Sequence, residues 1–123
     1  MSVEKTSDMV GLLLRARTVA HAEHWATDSF SRHVALGAFY DSLGELLDKF
    51  VESYQGYIDQ RVKPPILGGP LNRDIVAELE EHLERLELLR YQAVPKQETC
   101  LQNIIDEIEG LYQVTLYKLK MLK

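Results

Sequence analysis

Five side chains in the first half of the chain have the types and spacing of a metal-binding set: His21, His24, His33, Asp48 and Glu52. Imidazole nitrogen combined with carboxylate oxygen suits iron, manganese or zinc. His21 and His24 are three residues apart and share a helix face, as do Asp48 and Glu52, four apart. His33 and Asp48 are separated by fifteen residues, or about 22 Å along a helix. Ligand bonds are about 2 Å long, so one chain cannot bring both to one ion. Two copies can. If the second helix packs antiparallel on its twin, with the two-fold axis near residues 41 to 43, His33 of one copy faces Asp48 and Glu52 of the other. That interface is isologous and carries two equivalent sites.

The elements that must position these groups are helices. Apolar residues recur at helical spacing in four places, over about residues 3–25, 30–55, 72–91 and 95–122, and strand-like alternation is nearly absent. Ser29 or Ser31 suits the start of the second helix and Gly56 its end; Asn72 suits the start of the third. Pro95 fits the first turn of the fourth. Short links pair helices one with two and three with four. The middle link, about residues 57–71, carries Pro64-Pro65 and Gly68-Gly69-Pro70. It is long enough to cross the whole bundle, roughly 45–50 Å if extended. The expected fold is therefore all-α: a single ferritin-like antiparallel four-helix bundle, two helical hairpins joined by a long crossover.

On helix two a second stripe, His33, Gly37, Asp41, Gly44, Asp48, Glu52 and Gln55, shares one face. Each glycine there costs about 1 kcal/mol against alanine, which is reasonable where another backbone comes close. Helix one of the same chain is one candidate for that neighbour. The twin helix of a second copy is the other, with Gly37, Asp41 and Gly44 at the dimer interface.

Net charge is −5 and the pI near 5.3, which argues against a nucleic-acid surface. Lys118, Lys120 and Lys123 close the chain as cations suited to a helix C-terminus. The first residues show no signal-peptide pattern and no apolar run approaches a membrane span. A cytoplasmic location is expected, with no membrane partner. Cys100, the single cysteine, reads as a small core residue. His82, in the acidic run Glu78, Glu80, Glu81 and Glu84, reads as part of a solvated face.

The stretch from His21 to Gly56 resembles the mini-ferritins, the starvation-induced DNA-protection proteins. The resemblance rests on His24-Trp25, then His33, then Asp48 and Glu52. The His24 to His33 spacing is three residues shorter than in that family, and Gly37 stands where it has an Asp. The pattern His21-x-x-His24, Ser29, His33-x-Ala35-Leu36, Phe39-Tyr40, Asp48 and Glu52-Ser53-Tyr54-Gln55-Gly56 is more closely similar to a family of small ferritin-like proteins of tailed bacteriophages. The mini-ferritin resemblance implies a homodimer with metal, iron favoured over manganese and zinc, at its two-fold interface, and the bacteriophage resemblance implies the fold and a place in the host cytoplasm. The mini-ferritin resemblance also implies a ferroxidase-like oxidation of Fe(II); the bacteriophage family supplies no activity. An interaction module acting on a host protein, or an assembly factor with no chemistry, is the alternative. His33-Val-Ala-Leu-Gly37 is also similar to the His-x-x-Lys-Gly motif of histidine phosphotransfer bundles, but Leu36 stands where the lysine belongs. An Arg-x-His ribonuclease reading of Arg15 and His21 lacks its polar residue, with Ala16 in that place.

Overall fold

Each helix begins where a side chain or a turn satisfies its free N–H groups. In the computed structural model, which describes residues 2–123, α1 (Val3–Ala26) starts at Ser2, whose Oγ accepts from the Lys5 amide at 3.1 Å. α2 (Phe30–Ile58) starts at Ser29, which accepts from the Arg32 amide at 3.3 Å. α3 (Ile75–Ala93) starts at Asp74, which accepts from the Val76 amide at 3.1 Å. α4 (Thr99–Met121) follows a turn in which the Glu98 amide donates to the Pro95 carbonyl at 3.1 Å. No strand occurs among the described residues, and none of their helices is long and apolar enough to cross a membrane.

Several boundaries differ from those expected. α2 runs through Gly56 and ends at Asp59, which adopts the left-handed region at φ 57°. An Asp visits that region because its short polar side chain bonds locally. Asp74, not Asn72, caps α3; the same carboxylate is held by Arg32 at 2.9 Å. Pro95 lies in the turn ahead of α4 rather than inside its first turn.

α1 packs on α2 and α3, and α4 packs on the same two; the diagonal pairs α1–α4 and α2–α3 stay apart. End contacts set the directions. The Ser2 amide reaches the Ala93 carbonyl, Ser31 Oγ reaches the Leu122 carbonyl, and Lys120 pairs with Glu80 at 3.0 Å. All four neighbouring pairs are therefore antiparallel. The diagonal helices α2 and α3 are parallel, their N-termini joined by Arg32 and Asp74. Met9, Leu13, Leu36, Phe39, Phe50, Leu79, Leu86 and Ile108 are fully buried in the shared core. Cys100 is exposed, which corrects its expected place. Leu101 and Ile104 set the inward stripe of α4, and Cys100 points about 100° away from Leu101.

Because α2 and α3 are parallel, the link over 59–74 must return along the bundle. It lies on α1. The Lys63 amide donates to Ser7 Oγ at 3.3 Å, Pro65 sits against Gly11, and Arg15 donates to the carbonyls of Gly69 and Pro70. A Cβ on Gly11 would stand 2.7 Å from Pro65 Cγ and 2.9 Å from its carbonyl oxygen. Alanine gains about 1 kcal/mol of helix propensity, but overpacking against a ring and a backbone costs about 1–3 kcal/mol. Gly11→Ala is therefore expected to lower the melting temperature and speed tryptic cleavage after Arg61. A variant that melts higher, with its link equally protected, contradicts the packing of link on helix.

Candidate metal centre

The three-residue connection from Thr27 to Ser29 folds the end of α1 back beside the start of α2, and this brings His21, His24 and His33 together. The His24 and His33 rings stack at 3.8 Å, 14° from parallel. His21 stacks on Tyr40 at 3.9 Å and lies 4.3 Å from Trp25. The bonds between the stacked pair are reciprocal: His24 Nδ1 lies 2.6 Å from the His33 carbonyl, and His33 Nδ1 lies 2.7 Å from the His24 carbonyl. A carbonyl oxygen only accepts, so each Nδ1 carries the proton and donates it. In the neutral rings each Nε2 then has a free lone pair. A backbone carbonyl holding one ring nitrogen is the usual support of a metal-binding histidine.

Both glycines of the polar stripe make room for α1 of the same chain. A Cβ on Gly37 would lie 3.0 Å from His24 Cε1, and one on Gly44 would lie 2.8 Å from Arg17 Nε. Arg17 Nε donates to the Tyr40 carbonyl at 3.3 Å, bridging the two helices.

The carboxylates lie farther along the same α1–α2 face. Asp41, Glu45 and Asp48 line an open groove of about 460 Å³ with Arg17, Leu14, Gly44 and Leu47. Glu52, one turn beyond, is exposed. Among the described residues no three His, Cys, Asp or Glu groups gather within one chain to hold a metal ion. The histidines meet at one end of the hairpin and the acids stay apart from them. The stacking adds a further constraint. Lone pairs lie in ring planes, and two nearly parallel planes 3.8 Å apart cannot both contain one ion about 2 Å from each nitrogen. As placed, one imidazole of the pair serves one ion.

A second polar cluster lies inside the bundle, where the acidic run reads as solvated surface. His82 is 3% exposed and Glu78 8%, which corrects the expected solvated face at these two residues, while Glu80 and Glu84 are exposed as expected. His82 Nε2 donates to Glu78 Oε2 at 2.8 Å, and Arg73 Nε donates to Glu78 Oε1 at 2.8 Å. His82 Nδ1 and the Tyr112 hydroxyl have no partner among the described protein groups. Burial holds His82 below its ordinary value, against the opposing pull of Glu78. Burial pushes Glu78 up, but Arg73 and then His82 hold its carboxyl below the usual range. Burial, aided by the Glu78 charge, pushes the Tyr112 phenol far up. The available signal was periodicity: Ile75, Leu79, His82 and Leu86 recur every three or four residues along the buried side of α3.

Residues 24–119 match the family described as "Family of unknown function (DUF5856)". The chain is also 30% identical over 118 residues to the "Uncharacterized 14.6 kDa protein in mobD-ri intergenic region" of Enterobacteria phage T4. That alignment covers 95% of this chain and 89% of the phage protein. No solved structure matches.

Proposed function

The chain belongs to the DUF5856 family, with a relative in phage T4, and on that footing we propose a ferritin-like homodimer that binds a transition metal between the α1–α2 faces of two copies. The observation that carries this reading is the stacked His24–His33 pair. Its Nδ1 atoms are committed to backbone carbonyls and its Nε2 atoms are free, on the same face as Asp41, Glu45 and Asp48. The parallel setting of α2 and α3, which needs a full-length crossover, supports the ferritin-like comparison.

His33 or His24 of one copy would hold the ion together with Asp48 and Glu52 of the other. His21, stacked on Tyr40, stands beside them as a further ligand or a support. Iron is favoured, with manganese and zinc as the competing ions. Iron bound there would supply one-electron redox chemistry for Fe(II) oxidation. The protein's own part is to fix the imidazole tautomers and ring planes in advance. The reading puts this action in the host cytoplasm.

Protein purified without a histidine tag is expected to hold stoichiometric metal by elemental analysis. His33→Ala is expected to lose it while keeping its helical content, because the carbonyl that orients His24 belongs to the backbone. Asp48→Asn/Glu52→Gln is expected to lose it as well. Mixing and refolding the two variants rebuilds one intact site per heterodimer, which returns about one quarter of the wild-type metal. A wild-type protein that takes up no iron, manganese or zinc sinks the proposal; no recovery on mixing sinks its two-chain form. A metal-free chain that keeps its fold would turn the reading to a non-catalytic interaction module. Such a module is favoured by the exposed Phe30, Met121 and Leu88.

A further inference from the structure

The α1–α2 groove holds charges of both signs that do not meet within one chain. Arg17 reaches it from α1, while Asp41, Glu45 and Asp48 reach it from α2. Arg17 Nε is committed to the Tyr40 carbonyl at 3.3 Å. The guanidinium lies over Gly44, where a Cβ would stand 2.8 Å from Nε, 3.2 Å from Cζ and 3.3 Å from Nη2. The side chain is thus seated before any partner arrives, and little of its rotamer freedom is left to lose. Its terminal nitrogens donate to no described group of the chain, and none of the three carboxylates pairs with a described cation. Arg17 and Asp41 are both exposed.

We infer that Arg17 and Asp41 of one copy pair with Asp41 and Arg17 of a second copy across the two-fold axis of the α1–α2 faces. The inference rests on the two-copy arrangement proposed above and adds the contact that seats it. Two observations favour a second copy over another partner. An isologous interface needs a patch complementary to itself, and a groove with unpaired charges of both signs is such a patch. A partner of one sign would satisfy either Arg17 or the acids and leave the other facing its like, a costly juxtaposition. Position agrees. Arg17 is held between the Tyr40 carbonyl and Gly44, the level of an axis near residues 41 to 43. An antiparallel copy presents the same level of its own α2, and so its Asp41, to that guanidinium. Two guanidiniums and two carboxylates then surround the axis with no net charge. Asp48, seven residues on and about 10 Å along the helix, stays available for the ion.

The solution mass of the untagged full chain, by light scattering in EDTA at micromolar concentration, tests this contact without metal. The wild type is expected at twice the 14.1 kDa chain mass. Arg17→Glu gathers carboxylates alone around the axis, and Asp41→Arg gathers guanidiniums alone. Each variant by itself is expected at the mass of one chain, with unchanged circular dichroism because both positions are exposed. Mixed in equal amounts, the two variants set opposite signs against each other again, and the mass of a dimer is expected to return. A monomeric wild type, a single variant that stays dimeric, or a mixture that stays monomeric overturns the inference. Metal uptake is read separately. Charge rescue in a chain that takes up no metal keeps this contact and sinks the metal reading. Stoichiometric metal without charge rescue keeps the metal reading and overturns this contact.

Discussion

Arg90→Met is expected to cost about 3–5 kcal/mol, the typical loss when one partner of a buried ion pair is removed. Small domains have only about 5–15 kcal/mol in total, so this single change removes a large share of the fold's stability. Arg90 is 5% exposed, and all three of its guanidinium nitrogens are engaged. Nε donates to Gln102 Oε1 at 2.9 Å and Nη1 to Glu109 Oε1 at 2.7 Å. Nη2 donates to the Gln102 carbonyl and to Asp106 Oδ1. The network ties the end of α3 to the first half of α4, and Gln102 extends it to the Val94 carbonyl at 3.0 Å. Methionine fills similar volume but leaves the Glu109 carboxylate, 15% exposed, without its countercharge.

The pH dependence follows from that carboxylate. Burial already holds Glu109 above its ordinary 4.5, with Arg90 pulling against it. A carboxyl with a raised folded value is most stabilising when protonated, below 4.5, and its contribution is lost as pH rises through the folded value. Without Arg90 the folded value rises further. The deficit of Arg90→Met is therefore expected to shrink on going from pH 7.5 to pH 5 in urea unfolding, and Glu109→Gln in the same background is expected to recover part of it. A loss under 1 kcal/mol, or a deficit that does not change with pH, refutes this account.

The second large effect is expected at His82. Burial disfavours its charged form and outweighs the attraction of Glu78, so the folded value lies below the ordinary 6.5. The folded chain then binds fewer protons than the unfolded chain just below pH 6.5. Stability present above that pH is lost as pH falls toward the folded value. The slope can reach about 1.4 kcal/mol per pH unit. Glu78, held below its ordinary 4.5, adds a second loss at pH values under 4.5, with the same sign. Glutamine at position 82 can still donate to Glu78 but does not titrate. The difference in unfolding free energy between wild type and His82→Gln, followed from pH 7.5 to pH 5, is expected to move in the variant's favour. Parallel curves would mean that His82 takes its proton as readily in the folded chain as in the unfolded one.

Both effects come from residues whose types suggest surface. Glu78, His82, Arg90 and Glu109 sit in helices rich in charge, and residue type alone sends them outward. The spacing of Glu78, His82 and Arg90 relative to Ile75, Leu79 and Leu86 sends those three inward, and Glu109 lies partly buried beside them. Helix geometry is indifferent to polarity, so a charged residue in register with the apolar stripe is buried if neighbouring helices supply its partners. Those partners lie on other elements: Gln102, Asp106 and Glu109 for Arg90, and Arg73 in the link for Glu78. No local pattern contains them.

What the linear chain determined by itself was the set of four helices, their approximate limits and the short and long links. Periodicity, capping residues and the placement of prolines and glycines act within a few residues of one another. The proximity of His21, His24 and His33 was legible for the same reason, since a three-residue connection joins the helices that carry them. Only the tertiary structure decided what the glycines of α2 accommodate, because Gly37 and Gly44 meet His24 and Arg17 from another helix. It also decided that the imidazoles stack face to face rather than converge on one point, and that Cys100 faces outward while His82 faces inward. These outcomes depend on how each helix is rotated about its axis. That rotation is chosen by the summed packing of all four helices, not by any one segment.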